Sequence, residues 1–409
     1  MNLDYCRLCK GKRLERFLDL GSTPPSDAFL RKEDLAKPEP RYPLDVYLCL
    51  DCGQAQLGYV VPPEILYRRD YPYESSTTRT GREHFFHLAK TVSERFGLGK
   101  DSLAIDIGSN VGVLLSGFKA QGTRVLGVDP ATDMAAIANK NGIPTIPEFF
   151  NGELAKKIAK EHGKADAITA TNVFAHINNL DDVMEGIRAL LSEKGVFVIE
   201  APHFLDLVLK TEYDTIYHEH LSYLSVKPIQ AFFARFGFEL FDVEKHPIHG
   251  GTARYFATRK GSHPVSPAVA TIISAETKEG IHSVDRLKKF AGAVNEQKRL
   301  LVELLTRLKK EGKRVVGVSA PAKGNTLLNY CGITPDLLEY ISEKAEIKVG
   351  LYTPGTHIPI YDDAKFLADQ PDYAMILAWN FADEIMANLK VFKESGRHFI
   401  VHIPKPIIV

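Results

Sequence analysis

The fold of this chain is decided by the stretch Ala104-Ile105-Asp106-Ile107-Gly108-Ser109-Asn110-Val111-Gly112-Val113-Leu114-Leu115. Its apolar start predicts a buried strand, its glycines predict a turn, and the apolar periodicity that follows predicts a helix. Gly108 and Gly112 let the backbone turn sharply and approach a ligand that a Cβ would exclude, and the helix start behind them presents free N–H groups. The stretch therefore predicts a nucleotide-type pocket in an α/β domain.

A second predicted strand, residues 124–128, leads to Asp129, twenty-one residues after Gly108. A carboxylate in this position accepts hydrogen bonds from a ribose diol. The spacing is Asp-x-Gly-x-x-x-Gly, which favours S-adenosylmethionine (SAM) over NAD because a ligand without a pyrophosphate does not need a third close-packing glycine. An ordinary βα turn followed by a chance acid is the alternative. The predicted cofactor contacts here are Asp106, Gly108, Ser109, Asn110, Gly112 and Asp129.

Length and composition limit the classes of protein to consider. A chain of 409 residues is too long for one compact core and predicts two or three domains. Its 51 basic residues balance 51 acidic ones, so a small-molecule partner is expected rather than a nucleic acid. No apolar run reaches the length of a membrane span, and the first residues carry no signal-peptide pattern. We therefore expect a cytoplasmic monomer or weak dimer with reduced cysteines.

Two Cys-x-x-Cys pairs, Cys6 with Cys9 and Cys49 with Cys52, are separated by 39 residues. Four thiolates suit one tetrahedral zinc ion, and such a closed site is structural rather than catalytic. A redox pair is the alternative for either pair alone, but two pairs in one small segment favour zinc. The isolated Cys331 is expected to be a small buried residue.

Between residues 82 and 237 a predicted helix is followed by alternating strands and helices, which predicts a mostly parallel sheet covered on both faces. Asn172, Phe174 and His176 follow one of these strands, at the edge where open α/β sheets bind ligands. We assign all three to the cofactor pocket. His176 is interpreted as a structural or ligand-edge residue rather than a catalyst.

The densest group of ionisable residues lies at 214–225 and includes Tyr217, Glu219 and His220. No apolar periodicity explains this density. Acid/base chemistry is favoured over a hydrogen-bonded structural cluster, and a metal site has too few clear ligands.

Three further segments carry candidate substrate contacts. Tyr71 and Tyr73 lie in a loop that either lines a polar pocket or links two domains. His249 and Arg254 flank a glycine pair that allows close backbone approach, with a tight hairpin turn as the alternative. After an amphipathic helix predicted from Ser283 to Gly312, a second α/β pattern places Lys323 after a strand end, as in a nucleotide or phosphate site.

Taken together, these blocks resemble the sugar C-methyltransferase family, three-domain enzymes that methylate carbon 3 (C3) of nucleotide-linked 4-keto deoxysugars. The resemblance covers essentially the whole chain and rests on several motifs in the same order. They are the two Cys-x-x-Cys pairs with Thr23-Pro24-Pro25, then Tyr71-Pro72-Tyr73, Ile107-Gly108-Ser109-Asn110, Asn172-Val173-Phe174-Ala175-His176, Tyr217-His218-Glu219-His220, His249-Gly250-Gly251, Ala320-Pro321-Ala322-Lys323-Gly324-Asn325-Thr326 and Thr353-Pro354-Gly355-Thr356-His357-Ile358-Pro359.

The resemblance implies an α/β protein with a small zinc-binding domain at 1–75, a Rossmann-like SAM methyltransferase domain at 76–245 and a second Rossmann-like domain at 246–409. It implies that His220 is the base, assisted by Tyr217, Glu219 and Tyr71. It also implies a nucleotide-sugar site in the last domain. The predicted substrate contacts are Tyr73, His249, Arg254, Lys323, Asn325 and His357.

The chemistry of such a reaction fits these residue types. A C–H beside a ketone is acidic only if the developing enolate is stabilised, so the site needs a base of near-neutral pKa and donors aimed at the carbonyl oxygen. His220 supplies the first, and Tyr217 or the Tyr71 loop the second. Glu219 either holds the imidazole tautomer or binds a sugar hydroxyl. The rival functions are methylation of a sugar oxygen or nitrogen, methylation of a nucleic acid, and non-catalytic binding of SAM or a nucleotide-sugar.

Overall fold

The computed structural model describes residues 1–67 and 79–409, so the predicted loop with Tyr71 and Tyr73 lies outside the described residues. The described residues form three β-sheets. We name the three parts the amino-terminal lobe (1–67), the central lobe (79–279) and the carboxyl-terminal lobe (284–409). This arrangement confirms the predicted α/β fold class with two parallel-sheet units.

The amino-terminal lobe is a small antiparallel sheet. Its elements are β1 (Leu14–Thr23), β2 (Tyr42–Cys49), β3 (Ala55–Leu57) and α1 (Pro63–Tyr67). The strands follow one another as a meander, with Leu14 opposite Cys49 and Val46 opposite Leu57. A fourth strand comes from the central lobe, where Tyr223 pairs with Ala55. The amino-terminal lobe is therefore completed by a segment far along the chain.

The central lobe is built on a seven-stranded sheet. Its elements are α2 (Arg79–Phe96), β4 (Leu103–Ile107), α3 (Val113–Ala120), β5 (Arg124–Val128), α4 (Thr132–Lys140), β6 (Thr145–Ile146), α5 (Gly152–His162), β7 (Ala165–Thr171), α6 (Leu180–Leu190), β8 (Leu191–Pro202), α7 (Phe204–Lys210), β9 (Ser222–Tyr223), α8 (Val226–Ala234), β10 (Phe238–His246), β11 (Thr252–Arg259) and α9 (Pro267–Glu279). The sheet order is β10-β11-β8-β7-β4-β5-β6, and the strands from β8 to β6 are parallel. Strand β4 is buried along its whole length because helices cover both faces, which explains its nearly unbroken apolar run.

The predicted domain boundary at residue 246 falls inside a β-hairpin of this sheet. Strands β10 and β11 pair with each other, and β11 also pairs with β8, so that Arg254 lies opposite Glu200. The central sheet thus extends to Arg259 and crosses the predicted boundary. A hairpin that adds to a parallel sheet satisfies its backbone hydrogen bonds there, and no local pattern reveals that choice.

The carboxyl-terminal lobe contains a six-stranded sheet of order β14-β13-β12-β15-β16-β17. Its elements are α10 (Val284–Lys310), β12 (Val315–Val318), α11 (Ala322–Cys331), β13 (Ile341–Ser342), β14 (Ile360–Tyr361), α12 (Asp363–Asp369), β15 (Tyr373–Ile376), α13 (Ala382–Asn388), α14 (Lys390–Glu394), β16 (His398–Val401) and β17 (Ile407–Ile408). All neighbouring strands are parallel except β16 and β17. The helix predicted from Ser283 is confirmed as α10, and Cys331 is buried as predicted.

Helix α10 joins two lobes through its apolar stripe. Phe290 is 1% exposed, and its ring centroid lies 6.5 Å from that of Phe17 in β1. One hydrophobic core combines residues of the amino-terminal sheet with α10 and the carboxyl-terminal sheet. Within the described ranges, no helix combines the length and apolarity needed to cross a bilayer. The lobes therefore share a core rather than being joined only by linkers.

Candidate active site

A cavity of about 1140 Å³ lies where the three lobes meet. This volume exceeds that of an ordinary single-ligand pocket and suits two ligands side by side. Asp27 and Tyr67 enter it from the amino-terminal lobe, and Asn380 enters it from the carboxyl-terminal lobe. The predicted site residues that line it are Asp106, Gly108, Ser109, Asn110, Asp129, Asn172, His176, Tyr217, Glu219, His220, His249 and Lys323.

Five predicted ligand contacts are not among the described residues that line the cavity. Phe174 packs in the core of the central lobe, with its ring centroid 6.0 Å from that of Phe197. Gly112 adopts a φ of +81° and shapes the turn before α3.

The other three make contacts that stabilise the fold. These are Arg254 Nε to Glu200 Oε2 at 2.8 Å, Asn325 Nδ2 to Ser26 O at 2.6 Å, and His357 Nε2 to Glu39 Oε1 at 2.7 Å. Asn325 and His357 therefore attach the carboxyl-terminal lobe to the amino-terminal lobe, and Arg254 neutralises a buried carboxylate of the central sheet.

The glycine turn after β4 forms the side of the cavity where the sequence predicts the cofactor. Gly108 has a φ of +71°, and a Cβ on it would lie 2.7 Å from the Cγ2 atom of Val173. Asp129 accepts hydrogen bonds from the backbone N–H of Asn110 at 2.7 Å and from that of Ala131 at 2.8 Å. Each oxygen keeps a second acceptor position, so the carboxylate is held ready for a diol.

Asp106 is a buried carboxyl on the same side. Its Oδ1 accepts a hydrogen bond from Thr169 Oγ1 at 2.6 Å, and burial raises its pKa to about 7. The Ser109 hydroxyl is buried and has no hydrogen-bond partner among the described residues. The turn, the anchored Asp129 and this hydroxyl together fit a nucleoside ligand bound close to the backbone.

His220 is oriented by the backbone of its own segment. Its Nδ1 lies 2.7 Å from the carbonyl oxygen of Thr215, and a carbonyl only accepts, so Nδ1 carries the proton. Nε2 is then left with its lone pair, which is the tautomer a general base needs. Burial lowers the pKa of His220 to about 4, and the charge of Lys323 contributes to that lowering. The imidazole is therefore neutral near pH 7.

Aromatic rings enclose this imidazole. The ring centroid of Tyr217 lies 3.9 Å away and that of His176 lies 5.0 Å away. His176 stacks in turn on Tyr67, with centroids 5.9 Å apart and an interplanar angle of 11°. Burial, and the charge of His220 to a smaller extent, hold the pKa of His176 well below its usual value. His176 thus acts as a neutral wall of the pocket, as expected for a ligand-edge residue.

Glu219 is 3% exposed and lies beside a carboxyl from the amino-terminal lobe. Burial raises the pKa of Asp27, while the charge of Lys348 and a hydrogen bond with Glu219 oppose that rise. Tyr67 begins the tyrosine-rich segment that was predicted either to line a polar pocket or to link two domains, and it lines the cavity. Sequence reasoning missed Asp27, which lies in no recognisable motif and reaches the cavity through the packing of the amino-terminal lobe against the other two.

The carboxyl-terminal side of the cavity is cationic. Lys323 donates a hydrogen bond to Asn380 Oδ1, and its Nζ lies 4.2 Å from the ring centroid of Trp379. Burial lowers its pKa to about 8. His249, with a φ of +55°, lies at the tip of the β10–β11 hairpin, and burial lowers its pKa to about 4. The segment forms the hairpin that the sequence analysis gave as the alternative, and His249 lines the cavity, while its contact with substrate stays a prediction.

The four predicted zinc ligands lie together in the amino-terminal lobe. All four sulfur atoms are within 4.8 Å of one another, with Cys6 Sγ 3.6 Å from Cys52 Sγ and Cys9 Sγ 3.5 Å from Cys49 Sγ. Tetrahedral Zn–S bonds of about 2.3 Å place sulfurs about 3.8 Å apart. The donor set and its spacing therefore fit one zinc ion held by four thiolates.

Three family models match consecutive parts of the chain. They describe a zinc-binding domain at residues 6–67, a methyltransferase domain at 82–243 and the carboxyl-terminal domain of C-methyltransferases at 247–404. The curated C-methyltransferase NovU of Streptomyces niveus is 36% identical over 408 residues, which covers 100% of this chain and 97% of NovU. The similarity thus includes every lobe.

Solved structures overlap a smaller part of the chain. Magnesium protoporphyrin IX methyltransferase of Synechocystis PCC 6803, with bound SAM, is 14% identical and covers 44% of this chain and 79% of its own, with a TM-score of 0.33. YcgJ of Bacillus subtilis is 14% identical and covers 44% and 100%, with a TM-score of 0.35. The full-length relative and the three domain matches are the stronger findings.

Proposed function

This chain belongs to the C-methyltransferase family, as a SAM-dependent enzyme with a zinc-binding domain, and we propose that it methylates C3 of a nucleotide-linked 4-keto deoxysugar with His220 as the general base. The observation that carries the proposal is the hydrogen bond from His220 Nδ1 to Thr215 O at 2.7 Å. It leaves Nε2 unprotonated in an imidazole that lines the shared cavity.

In the proposed reaction, His220 Nε2 removes the proton from C3 of the acceptor. The electron pair of the broken C–H bond forms the C3–C4 double bond, and the carbonyl π pair moves to the C4 oxygen. Bound SAM supplies the electrophilic methyl group that C3 takes up. The protein contributes mainly by fixing base, acceptor and donor in one geometry.

On the cofactor side, Asp129 would accept hydrogen bonds from the ribose hydroxyls, and Gly108 would let the ligand approach the backbone. On the acceptor side, Tyr217 lies against the base and is the described donor nearest to it among the predicted catalytic residues. Tyr71 is proposed as a second donor from the resemblance alone. The nucleotide is proposed to lie toward the carboxyl-terminal lobe, where Lys348 lines the cavity and supplies positive charge.

The lowered pKa of His220 determines how the reaction should depend on pH. With a pKa of about 4, the free imidazole is a base throughout the neutral range. Activity should therefore be flat near pH 7 and fall as acid protonates the ring through that pKa. This pKa is lower than the near-neutral value expected of the base, and it makes the imidazolium formed during the reaction more acidic than that of a free histidine.

The test is hydrogen exchange in deuterated water, with a panel of nucleotide-linked 4-keto deoxysugars and S-adenosylhomocysteine in the cofactor site. Mass spectrometry and NMR measure deuterium at C3, and a parallel reaction with SAM measures the C-methyl product. His220→Ala should lower both rates by at least about 100-fold, since positioned bases contribute 10²–10⁴-fold. Its affinity for SAM, measured by calorimetry, should stay within about twofold of that of the parent protein.

The matched control is His162→Ala, an exposed histidine at the end of α5. It should exchange and methylate at the parent rate. Normal exchange by His220→Ala would remove His220 from the role of base. Methyl transfer to a sugar oxygen or nitrogen by the parent protein would overturn the C3 assignment.

A further inference from the structure

Lys323 is a cation at the cavity wall that has no carboxylate partner among residues 1–67 and 79–409. Its Nζ donates to the neutral Asn380 and lies over the Trp379 ring, and no ion pair joins it to a carboxylate of residues 1–67 or 79–409. Asp214 and Glu212 raise its pKa only through their charge at a distance. Asp214 Oδ2 accepts a hydrogen bond from Trp379 Nε1 at 2.7 Å, and Asp214 Oδ1 has no hydrogen-bond partner among the described residues, so neither oxygen is bonded to Lys323. The ammonium therefore keeps donor capacity for a ligand.

The helix that carries Lys323 is attached to the segment that carries the base. Thr326 lies three residues after Lys323 in α11, on the same helix face, and its Oγ1 donates to Ile216 O at 3.1 Å. The preceding carbonyl, that of Thr215, accepts from His220 Nδ1. Two consecutive carbonyls thus bind the lysine helix and the catalytic imidazole, which attaches both groups to the same short segment.

The positive charge of Lys323 reaches both imidazoles of the cavity. It lowers the pKa of His220 and that of His249, and both side chains line the cavity with Lys323. A nearby cation weakens a base, which alone would hinder proton abstraction. This weakening of the base is offset when an enolate anion forms between His220 and Lys323. The enolate is the second product of the proton transfer, and the ammonium stabilises its negative charge.

We propose that Lys323 is a further catalytic residue, whose Nζ donates a hydrogen bond to the C4 oxygen as the enolate forms. The inference rests on the proposed function. While His220 takes the C3 proton and the carbonyl π pair moves to oxygen, the ammonium of Lys323 retains its own protons and balances the new negative charge. When C3 takes up the methyl group, the electron pair of the C3–C4 double bond forms the new C–C bond, and the pair of the broken S–CH3 bond stays on sulfur in S-adenosylhomocysteine. The C4 carbonyl is restored and the lysine is unchanged.

A contact to the diphosphate of the nucleotide is the competing role for this lysine. A phosphate contact acts equally in the ground state and the transition state, so its loss raises KM and leaves the exchange rate at saturation unchanged. A contact to the enolate oxygen acts mainly in the transition state, so its loss lowers kcat and the exchange rate. These two signatures separate the roles.

The experiment compares Lys323→Gln and Lys323→Arg with Lys309→Gln, an exposed lysine of α10. We measure C3 exchange with S-adenosylhomocysteine bound, kcat and KM for methylation, and both rates from pH 4 to 9. Lys323→Gln should lower exchange and kcat by about 100- to 1000-fold, with KM within about threefold. Lys323→Arg should recover at least tenfold of that loss, and Lys309→Gln should match the parent.

The pH profile tests the electrostatic link directly. Removing the charge of Lys323 should move the acid limb of the exchange rate to higher pH, because the pKa of His220 rises, whereas a merely structural role would leave the limb in place. A raised KM with parent-like exchange would overturn the assignment in favour of a phosphate contact. Absence of exchange in the parent protein would instead reject the proposed function, and the Lys323 role with it.

Discussion

Replacing Glu200 by leucine should destabilise the central lobe by about 3–5 kcal/mol, the cost of removing one partner of a buried ion pair. Glu200 is fully buried in β8, and both its oxygens are occupied. Oε1 contacts His84 Nε2 at 2.5 Å, and Oε2 accepts from Arg254 Nε at 2.8 Å. Arg254 is also fully buried, so among the described residues the substitution leaves its guanidinium with Glu244 alone, at 3.2 Å.

The pKa of Glu200 gives a second measure of the same effect. His84 and Arg254 lower it to about 2 from an ordinary 4.5, despite the opposing effect of burial. A difference of this size corresponds to about 3 kcal/mol, which agrees with the mutational range. Because the folded-state pKa is the lower one, the stabilisation is present above pH 4.5 and is lost as the pH falls toward 2. The gap between parent and variant should narrow over that interval.

The assay is urea unfolding followed by far-ultraviolet circular dichroism at pH 7.5 and at steps down to pH 3. Glu193→Leu is the matched control, since Glu193 lies in the same strand with its side chain 89% exposed and 3.5 Å from Arg259. It should cost less than about 1 kcal/mol. The double variant Glu200→Leu with Arg254→Met should be more stable than Glu200→Leu alone, because no buried charge is left unpaired. A single variant within 1 kcal/mol of the parent would refute the reasoning.

Two further predictions concern the bound groups. Cys49→Ser should reduce the zinc content, measured by atomic absorption, from about one ion per chain to a small fraction, and it should lower the melting temperature. The control Cys331→Ser should retain the metal. Full zinc content in Cys49→Ser would contradict a four-thiolate site. Asp129→Ala should weaken SAM binding at least about tenfold, measured by calorimetry, because two backbone N–H groups and the ribose lose their hydrogen-bond acceptor. The control Asp133→Ala, at an exposed position, should leave the affinity unchanged. Unchanged affinity in Asp129→Ala would remove Asp129 from the cofactor site.

Features that depend on local sequence were predictable. The glycine turn at Gly108, the strand end at Asp129 and the two cysteine pairs are each set by a few neighbouring residues, and the structure places all three as expected. The long helix α10 was predictable for the same reason, since its apolar stripe repeats over seven turns.

Features that depend on how distant segments pack were not predictable. Arg254 reads from sequence as an anion-binding residue, yet strand register places it opposite Glu200 inside the sheet. Asp27 lies in no recognisable motif, and it reaches the cavity because the amino-terminal lobe packs against the other two lobes. The same holds for His357, whose partner Glu39 is 318 residues away in the chain. A single sequence does not encode these pairings in any pattern that can be recognised locally.

Strand β9 belongs to the central lobe but completes the amino-terminal sheet, and this arrangement limits how the protein can change by recombination. Arg7, between two zinc ligands, is fully buried and donates to Leu57 O at 2.7 Å and to Leu221 O at 3.1 Å, one residue after His220. Strand β9 follows at once and completes the amino-terminal sheet. A recombination event that replaced only the zinc-binding domain with one from another protein would disrupt these hydrogen bonds and this strand pairing. The heritable module is therefore discontinuous, consisting of the first 67 residues together with the stretch around 213–224.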